Sequence, residues 1–391
     1  MNILVLNAGS SSIKYCLLAA NAKLEVLQSG AIESIDDDVA TVHRWQNAQG
    51  EVRVDQLESS NHSLAFEMLF QALSASMEIK LIAHRVVHGG IHFNKAVMIN
   101  PQVLALLREA VPLAPLHNSA NIRGIELAQR HHPQVPQVAV FDTAFHHSMP
   151  EHAYRYAVPD TWLQQYGVRR YGFHGTSHSY LARSAASFLA QPLSSLKLIT
   201  LHLGNGASIA AIDAGRCVDT SMGMTPMEGL MMGTRCGDLD SGVVFALQRQ
   251  GMDSQTLEHQ LNHQSGLKGI CGDNDLRRIE QAASAGNTQA KLAIDMFCYR
   301  IRKYIGAYFT VLGGIDALVF SGGIGEHSSL IRQKVSHGLE CLNIQIDDDR
   351  NRAVTNTSCH IEAATSAVAL LVIPTDEEYE IAAQAKALLD G

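Results

Sequence analysis

At 391 residues the chain is too long for one ordinary hydrophobic core and calls for about two domains of roughly 100–200 residues each. Apolar residues make up 46%, charged residues only 17% and mean hydropathy is near zero, the composition of a soluble globular protein with surface buried between domains or subunits. A net charge of −8 without long basic runs argues against nucleic acid, and no apolar run reaches the ~20 residues of a membrane span.

Residues 3–6 form an apolar run that breaks at Asn7-Ala8-Gly9-Ser10-Ser11-Ser12 and resumes over 13–18, the pattern of a β-hairpin with a small-residue turn. This start has no basic n-region, so it reads as the first strand of the mature fold and not as a signal peptide. Asn100 and Pro101 open a helix before Val103, Leu104 and Leu107. A helix over 118–131 stops before Pro133, and 135–141 reads as a buried strand ending at Asp142. A second hairpin follows, with strands at 198–201 and 209–212 around Gly204-Asn205-Gly206-Ala207-Ser208, which predicts two similar halves. A long helix spans 288–312, with Phe297, Ile301, Ile305, Tyr308 and Leu312 on one face and Gly313-Gly314 ending it. A strand at 317–320 leads into a turn, Ser321-Gly322-Gly323-Ile324-Gly325-Glu326. The last helix starts at Thr375, where Thr375 and Glu378 have capping-box spacing. The alternation argues for an α/β fold. The domains are expected at 1–148 and 149–377, with the helix at about 378–391 packing on the first.

Seven scattered cysteines without any C-x-x-C argue against zinc ribbons and disulfide scaffolds, and read as small buried groups in a reducing cytosol. The three glycine-rich segments at 7–12, 204–208 and 321–326 each follow an apolar strand. One such turn is only a tight turn; three together point to phosphate held by backbone N–H groups and hydroxyls. There is no G-x-x-x-x-G-K-[ST] and no complete G-x-G-x-x-G, so neither a P-loop nor a Rossmann site is supported. Arg85, Arg169, Arg170 and Arg235 sit among glycines and apolar residues, where a guanidinium needs an anionic partner such as a transferring phosphoryl group. The 19 histidines invite a metal reading, but His84 and His88 lack the zincin glutamate and lie in a strand-and-turn setting. Asp142, Asp275 and Glu377 are the acidic candidates, and Mg²⁺ among phosphates takes only one or two carboxylates.

Taken in order, NAGSSSIKY at 7–15, HRVVHGG at 84–90, APLHN at 114–118, FDTAFH at 141–146, RRYGFHGTSH at 169–178, HLGNGAS at 202–208, GLMMGTRCGDLD at 229–240, SGGIGE at 321–326 and PTDEE at 374–378 resemble the acetate kinases over essentially the whole chain. The resemblance implies two duplicated α/β domains of the ribonuclease H-like, actin-like ATPase type with an interdomain active-site cleft. It also implies a cytoplasmic homodimer, with Mg²⁺ (or Mn²⁺) and ATP/ADP. By the same resemblance Arg85 and Arg235 grip substrate and phosphoryl group, His174 is a further donor, and Asp142 orients the arginines or the acyl group. Asn7 and Glu377 match the positions that place the metal. Ser10, Ser12 and Lys14 match a first phosphate turn, and His202, Asn205 and Gly206 a second. Asp275, Leu276 and Arg277 match the nucleoside stretch, with Gly323, Ile324, Gly325 and His327 in the adenine loop. Val87, Leu116, Phe173 and Pro226 match a pocket for the acetate methyl. Leu276 and His327 depart from the residues usual there. The implied reaction is reversible transfer from ATP to acetate, giving acetyl phosphate and ADP. The rivals are a propionate or butyrate kinase, a sugar kinase, and a conformational protein like actin or Hsp70.

Overall fold

The computed structural model describes residues 2–35, 40–57, 61–73 and 78–390, without the side chains of Leu57, Leu116 and Asp390. The chain forms two compact units: Met1–Phe145 with Asp376–Gly391, and His146–Thr375. Asp376 and Glu377 thus fall with the first unit.

The first unit is built on an eight-stranded sheet of β1 (Asn2–Ala8), β2 (Ser12–Ala19), β3 (Val26–Glu33), β4 (Thr41–Asn47), β5 (Val52–Leu57), β6 (Ile79–Val86), β7 (Val97–Met98) and β8 (Gln137–Phe141), in the order β5-β4-β3-β2-β1-β6-β8-β7. The expected hairpin is there: β1 runs antiparallel to β2, with Asn7 opposite Lys14. β6 and β8 then add in parallel. One face of the sheet packs Leu4, Leu6, Ile13 and Leu17 against Phe66, Leu69 and Ala128. The other packs Ile3, Val5, Leu81 and Val138 against Ile381, Ala382 and Ala385 of the Glu377–Asp390 helix.

The second unit carries β9 (Lys197–Leu203), β10 (Ala207–Asp213), β11 (Arg216–Thr220), β12 (Ala317–Ser321), β13 (Cys359–His360) and β14 (Ala369–Val372), in the order β11-β10-β9-β12-β14-β13. This repeats β3-β2-β1-β6-β8-β7 strand for strand, including which neighbours are parallel. The first unit differs by adding β4 and β5 at its edge. The expected helix appears as Thr288–Leu312, capped by Asn287 and ended by left-handed Gly313, with all five predicted face residues buried.

Two local expectations fail. The segment after β12 is a short helix, Gly322–His327, not a turn. Three glycines disfavour a helix, but tertiary bonds override them: a Glu326 oxygen accepts from the N–H of Gly322 (2.9 Å) and of Thr375 (3.1 Å), and Arg332 donates to the carbonyls of Gly325 and Glu326. Gly322 also needs its left-handed φ of 74°, since a Cβ there would lie 2.6 Å from the Leu203 carbonyl oxygen. Nor does Thr375 cap the last helix. Asp376 does, accepting from the Tyr379 N–H at 2.8 Å, while the Thr375 hydroxyl meets that of Ser177. The cysteines also diverge from the expectation of general burial: Cys16, Cys217 and Cys298 are buried, Cys341 is exposed, and the others are half-buried.

Candidate active site

Arg85 stands near the end of β6, and Asp142 follows β8 directly. The parallel pairing sets Arg85 beside Val140, and the Asp142 N–H closes on the Val86 carbonyl at 3.0 Å. The two side chains therefore meet as a forked pair, Nε to Oδ1 at 2.9 Å and Nη2 to Oδ2 at 2.6 Å. Glu377, at the start of the last helix, adds a second carboxylate 3.8 Å from Arg85 Nε. Burial opposes the charge on Arg85, but Asp142 and Glu377 outweigh it and hold the guanidinium protonated. The flanking Glu378 and Asp376 carboxyls are pushed up, first by burial and then by the like charge of Glu377.

Asn7 lies on β1, against which the last helix packs, so an amide oxygen and the Glu377 carboxylate belong to the same unit. Both are hard oxygen donors, and such a sparse set fits Mg²⁺, which keeps most of its waters. Among the described residues no cluster of three His, Cys, Asp or Glu has the form of a metal cage. His84 bonds Gln137 at 2.7 Å, and burial lowers it to about 4, so it is a neutral strut within the sheet. Ser10 and Lys14 are exposed and Ser12 half-buried on the first hairpin. Lys14 lines a hollow of about 470 Å³ over β2–β4, together with Arg44, Asp376 and Glu378. Val87 is nearly buried in this unit; Leu116 lies on the Pro115–His131 helix, its side chain outside the described residues.

In the second unit the turn joining β9 and β10 brings several predicted residues together. A Cβ on Gly206 would lie 3.5 Å from both Arg235 Nη1 and the His174 ring. The His174 and His202 rings are 4.3 Å apart, and His202 Nδ1 meets the Ser177 hydroxyl at 2.8 Å. The Asn205 carbonyl accepts from the Gly233 N–H at 3.0 Å, tying the turn to the segment that carries Arg235. Arg235 donates to the Pro226 carbonyl at 3.2 Å, and no carboxylate pairs with it among the described residues. Burial alone acts on its charge and lowers its pKa. An uncompensated guanidinium against a glycine turn has the chemistry that an anion site requires.

Beside that turn lies a cavity of about 360 Å³, lined by Asn205, Asp275, Leu276, Arg277, Gly323, Ile324 and His327 with Gly204, Asn274 and Glu280. Six residues assigned to the nucleoside by resemblance thus share one wall system, and Asn274 bonds Asn205 at 3.0 Å. Gly325 is buried behind it. Asp275 caps the Leu276–Ser284 helix and pairs with the exposed Arg277. Phe173 is buried and Pro226 half-buried, both in this unit.

A model of the acetokinase family matches residues 2–383. The chain belongs to the acetokinase family. It is 46% identical over 398 residues to the acetate kinase of Sulfurovum sp. (strain NBC37-1), covering 100% of this chain and 99% of that one. The crystal structure of Porphyromonas gingivalis acetate kinase superimposes with a TM-score of 0.93 at 43% identity, covering 99% of both chains. A propionate kinase from Francisella tularensis subsp. tularensis SCHU S4 gives a TM-score of 0.93 at 40% identity, again over 99% of both.

In this acetokinase-family chain several supporting residues escaped sequence reasoning. Asn121 accepts from the Val87 N–H at 3.0 Å and donates to the Ala8 carbonyl at 2.7 Å; Asn118 clamps both backbone groups of His88. Two asparagines three apart on one helix face were the available signal. His146, lowered to about 4 by burial, donates from Nε2 to the Phe173 carbonyl and so steadies the peptide before His174. Arg170, by contrast, is singled out in the sequence as needing an anionic partner such as a phosphoryl group; the structure pairs it with Glu228 at 2.6 Å, and it gathers the carbonyls of Thr220, Ser221 and Met222, holding the loop that supplies Pro226.

Proposed function

We propose that the chain is an acetate kinase, transferring the γ-phosphoryl group of ATP to acetate, reversibly and in line, to give ADP and acetyl phosphate. The observation that carries the reading is Arg235, half-buried and without a carboxylate partner among the described residues, against the glycine turn and His174. A carboxylate is already ionised at neutral pH, its pKa being about 4, so no strong general base is required. What the protein must do is align two anions and offset their repulsion. Arg85 and Arg235 supply forked donors to the substrate carboxylate and the moving phosphoryl group, and His174 supplies a further N–H. Asp142 keeps Arg85 charged and in one orientation. The cavity beside Asn205 takes the nucleoside, and its open, largely apolar walls at Leu276 and Ile324 favour a planar base. Ser10, Ser12 and Lys14 contact the phosphates from the first hairpin, and Val87, Leu116, Phe173 and Pro226 receive the methyl group. Asn7 and Glu377 would hold Mg²⁺, directly or through water; when bound, the ion neutralises phosphate charge. Cysteines unpaired throughout the described residues suit a reducing cytoplasm, and a homodimer remains part of the reading.

The test is hydroxamate detection of acyl phosphate with ATP, Mg²⁺ and a panel of short carboxylates. Acetate should give the highest kcat/KM. No acyl phosphate with any carboxylate ends the proposal.

A further inference from the structure

We propose that Thr200, His178 and Ser208 form a directional hydrogen-bond relay that fixes His174 as a neutral ring with its hydrogen on Nε2. The relay deepens the proposed function and rests on it for its catalytic meaning, but it stands on donor and acceptor accounting alone.

The chain of contacts is continuous and buried. Thr200 Oγ1 lies 2.7 Å from His178 Nδ1, His178 Nε2 lies 2.8 Å from Ser208 Oγ, and Ser208 Oγ lies 2.9 Å from His174 Nδ1. Thr200, His178 and Ser208 are each 0% exposed. Hydrogen positions follow from the far end. Thr200 has no other side-chain partner among the described residues, and a buried hydroxyl proton left without an acceptor costs more than an unused lone pair. The Thr200 hydroxyl therefore donates to His178 Nδ1. His178 then carries its one hydrogen on Nε2, since an imidazole that accepts at one nitrogen is neutral and donates from the other. Burial, with His146 and His202 nearby, independently holds its pKa well below the usual value.

The His178 Nε2–H donates to Ser208 Oγ. The Ser208 proton is left to point at His174 Nδ1, which must accept. His174 is thereby neutral, with its hydrogen on Nε2. Its backbone holds the ring in place from the other side: His174 has a left-handed φ of 57° at the start of the Gly175–Phe188 helix. Ser208 sits on β10 just past the glycine turn, so the same strand that shapes the phosphate turn also sets the tautomer of the histidine beside it.

For phosphoryl transfer this matters in a specific way. A neutral Nε2–H offers a hydrogen bond to a developing phosphoryl charge without adding a second full cation beside Arg235. It is also a poor acid, so it does not protonate the acyl phosphate oxygen. Thr200, His178 and Ser208 are positioning residues: they act through His174 and touch neither substrate.

The test uses the full chain with ¹⁵N-labelled histidine, reading ring nitrogens by long-range ¹H–¹⁵N correlation at neutral pH, with His174 assigned from H174N. The expected wild-type signal is the neutral Nε2–H form. T200V removes the hydroxyl at near-constant volume, so His178 loses its fixed donor and His174 should show a mixture of tautomers. Turnover should then fall about tenfold at unchanged KM, less than the 10²–10³-fold typical of deleting a donor outright. T200S should restore both. S208A, should T200V fold poorly, must give the same tautomer mixture. A wild-type His174 that is doubly protonated or Nδ1–H overturns the proposal, as does a T200V protein with tautomer and turnover both unchanged. Absence of acyl phosphate in the wild type would sink the kinase reading, while the ring signals still decide the relay.

Discussion

The two units share one strand order and each contributes an arginine from a glycine-rich segment, yet the arginines sit in opposite electrostatic settings. Arg85 is gripped by Asp142 and approached by Glu377. Among the described residues Arg235 hydrogen-bonds only a carbonyl and a thioether, and burial lowers its pKa. Duplication of a backbone therefore does not duplicate a site. The first unit's arginine is balanced by carboxylates, whereas the second unit's has none paired with it among the described residues.

The sharpest way to break that contrast is to remove each guanidinium. Arg85→Ala and Arg235→Ala should each lose ~10³-fold or more in acyl phosphate turnover, on the scale of an arginine finger. Their effects on stability should part company. Arg85→Ala takes the forked guanidinium partner from Asp142, which is 1% exposed, and should cost about 3–5 kcal/mol in urea unfolding. Arg235→Ala removes a half-buried charge that no carboxylate balances among the described residues, and should leave stability level or raise it by about 1 kcal/mol. Equal destabilisation by the two would erase the distinction.

A second comparison concerns acid. His84 in the first unit and His146 in the second both titrate at about 4, because burial disfavours their charged forms. The unfolded chain takes up those protons near 6.5, so each histidine's stability is fully present above ~6.5 and lost as pH falls towards 4. The loss is on the order of 3 kcal/mol per ring. Urea melts at pH 7 and pH 5 should show the drop, and His84→Gln and His146→Gln should each flatten it. A pH-independent midpoint would contradict the shared device.

The smallest effect concerns substrate length. Val87 is 9% exposed on the clamped loop after β6. Val87→Ala should raise the propionate-to-acetate ratio of kcat/KM a few-fold to about tenfold, since one methylene is worth about 1–3 kcal/mol. An unchanged ratio would remove Val87 from the pocket.

Hairpins, the long helix and the glycine-ended strands were legible because periodicity and turn chemistry are local. The 322–327 helix was not, because Glu326 and Arg332 organise three glycines through contacts that sequence spacing does not reveal. The Thr375 cap read from spacing fails because the Asp376 carboxylate reaches the Tyr379 N–H instead. Among site residues, those on motifs were read by resemblance. Asn121, His178 and Ser208 were missed because their value lies in which buried atom they face, an outcome of register between distant strands and helices.

The last helix has a consequence for biosynthesis. Ile381, Ala382 and Ala385 complete a core whose other members, Ile3, Val5, Leu81 and Val138, were made some 240 residues or more earlier. A ribosome-bound chain stopped at Thr375 has every residue of the second unit but leaves one face of the first unit's sheet uncovered. Glu377 arrives with that same closing segment. Catalytic competence and completion of the first core should therefore appear together during synthesis, and only after residues past 376 have left the exit tunnel.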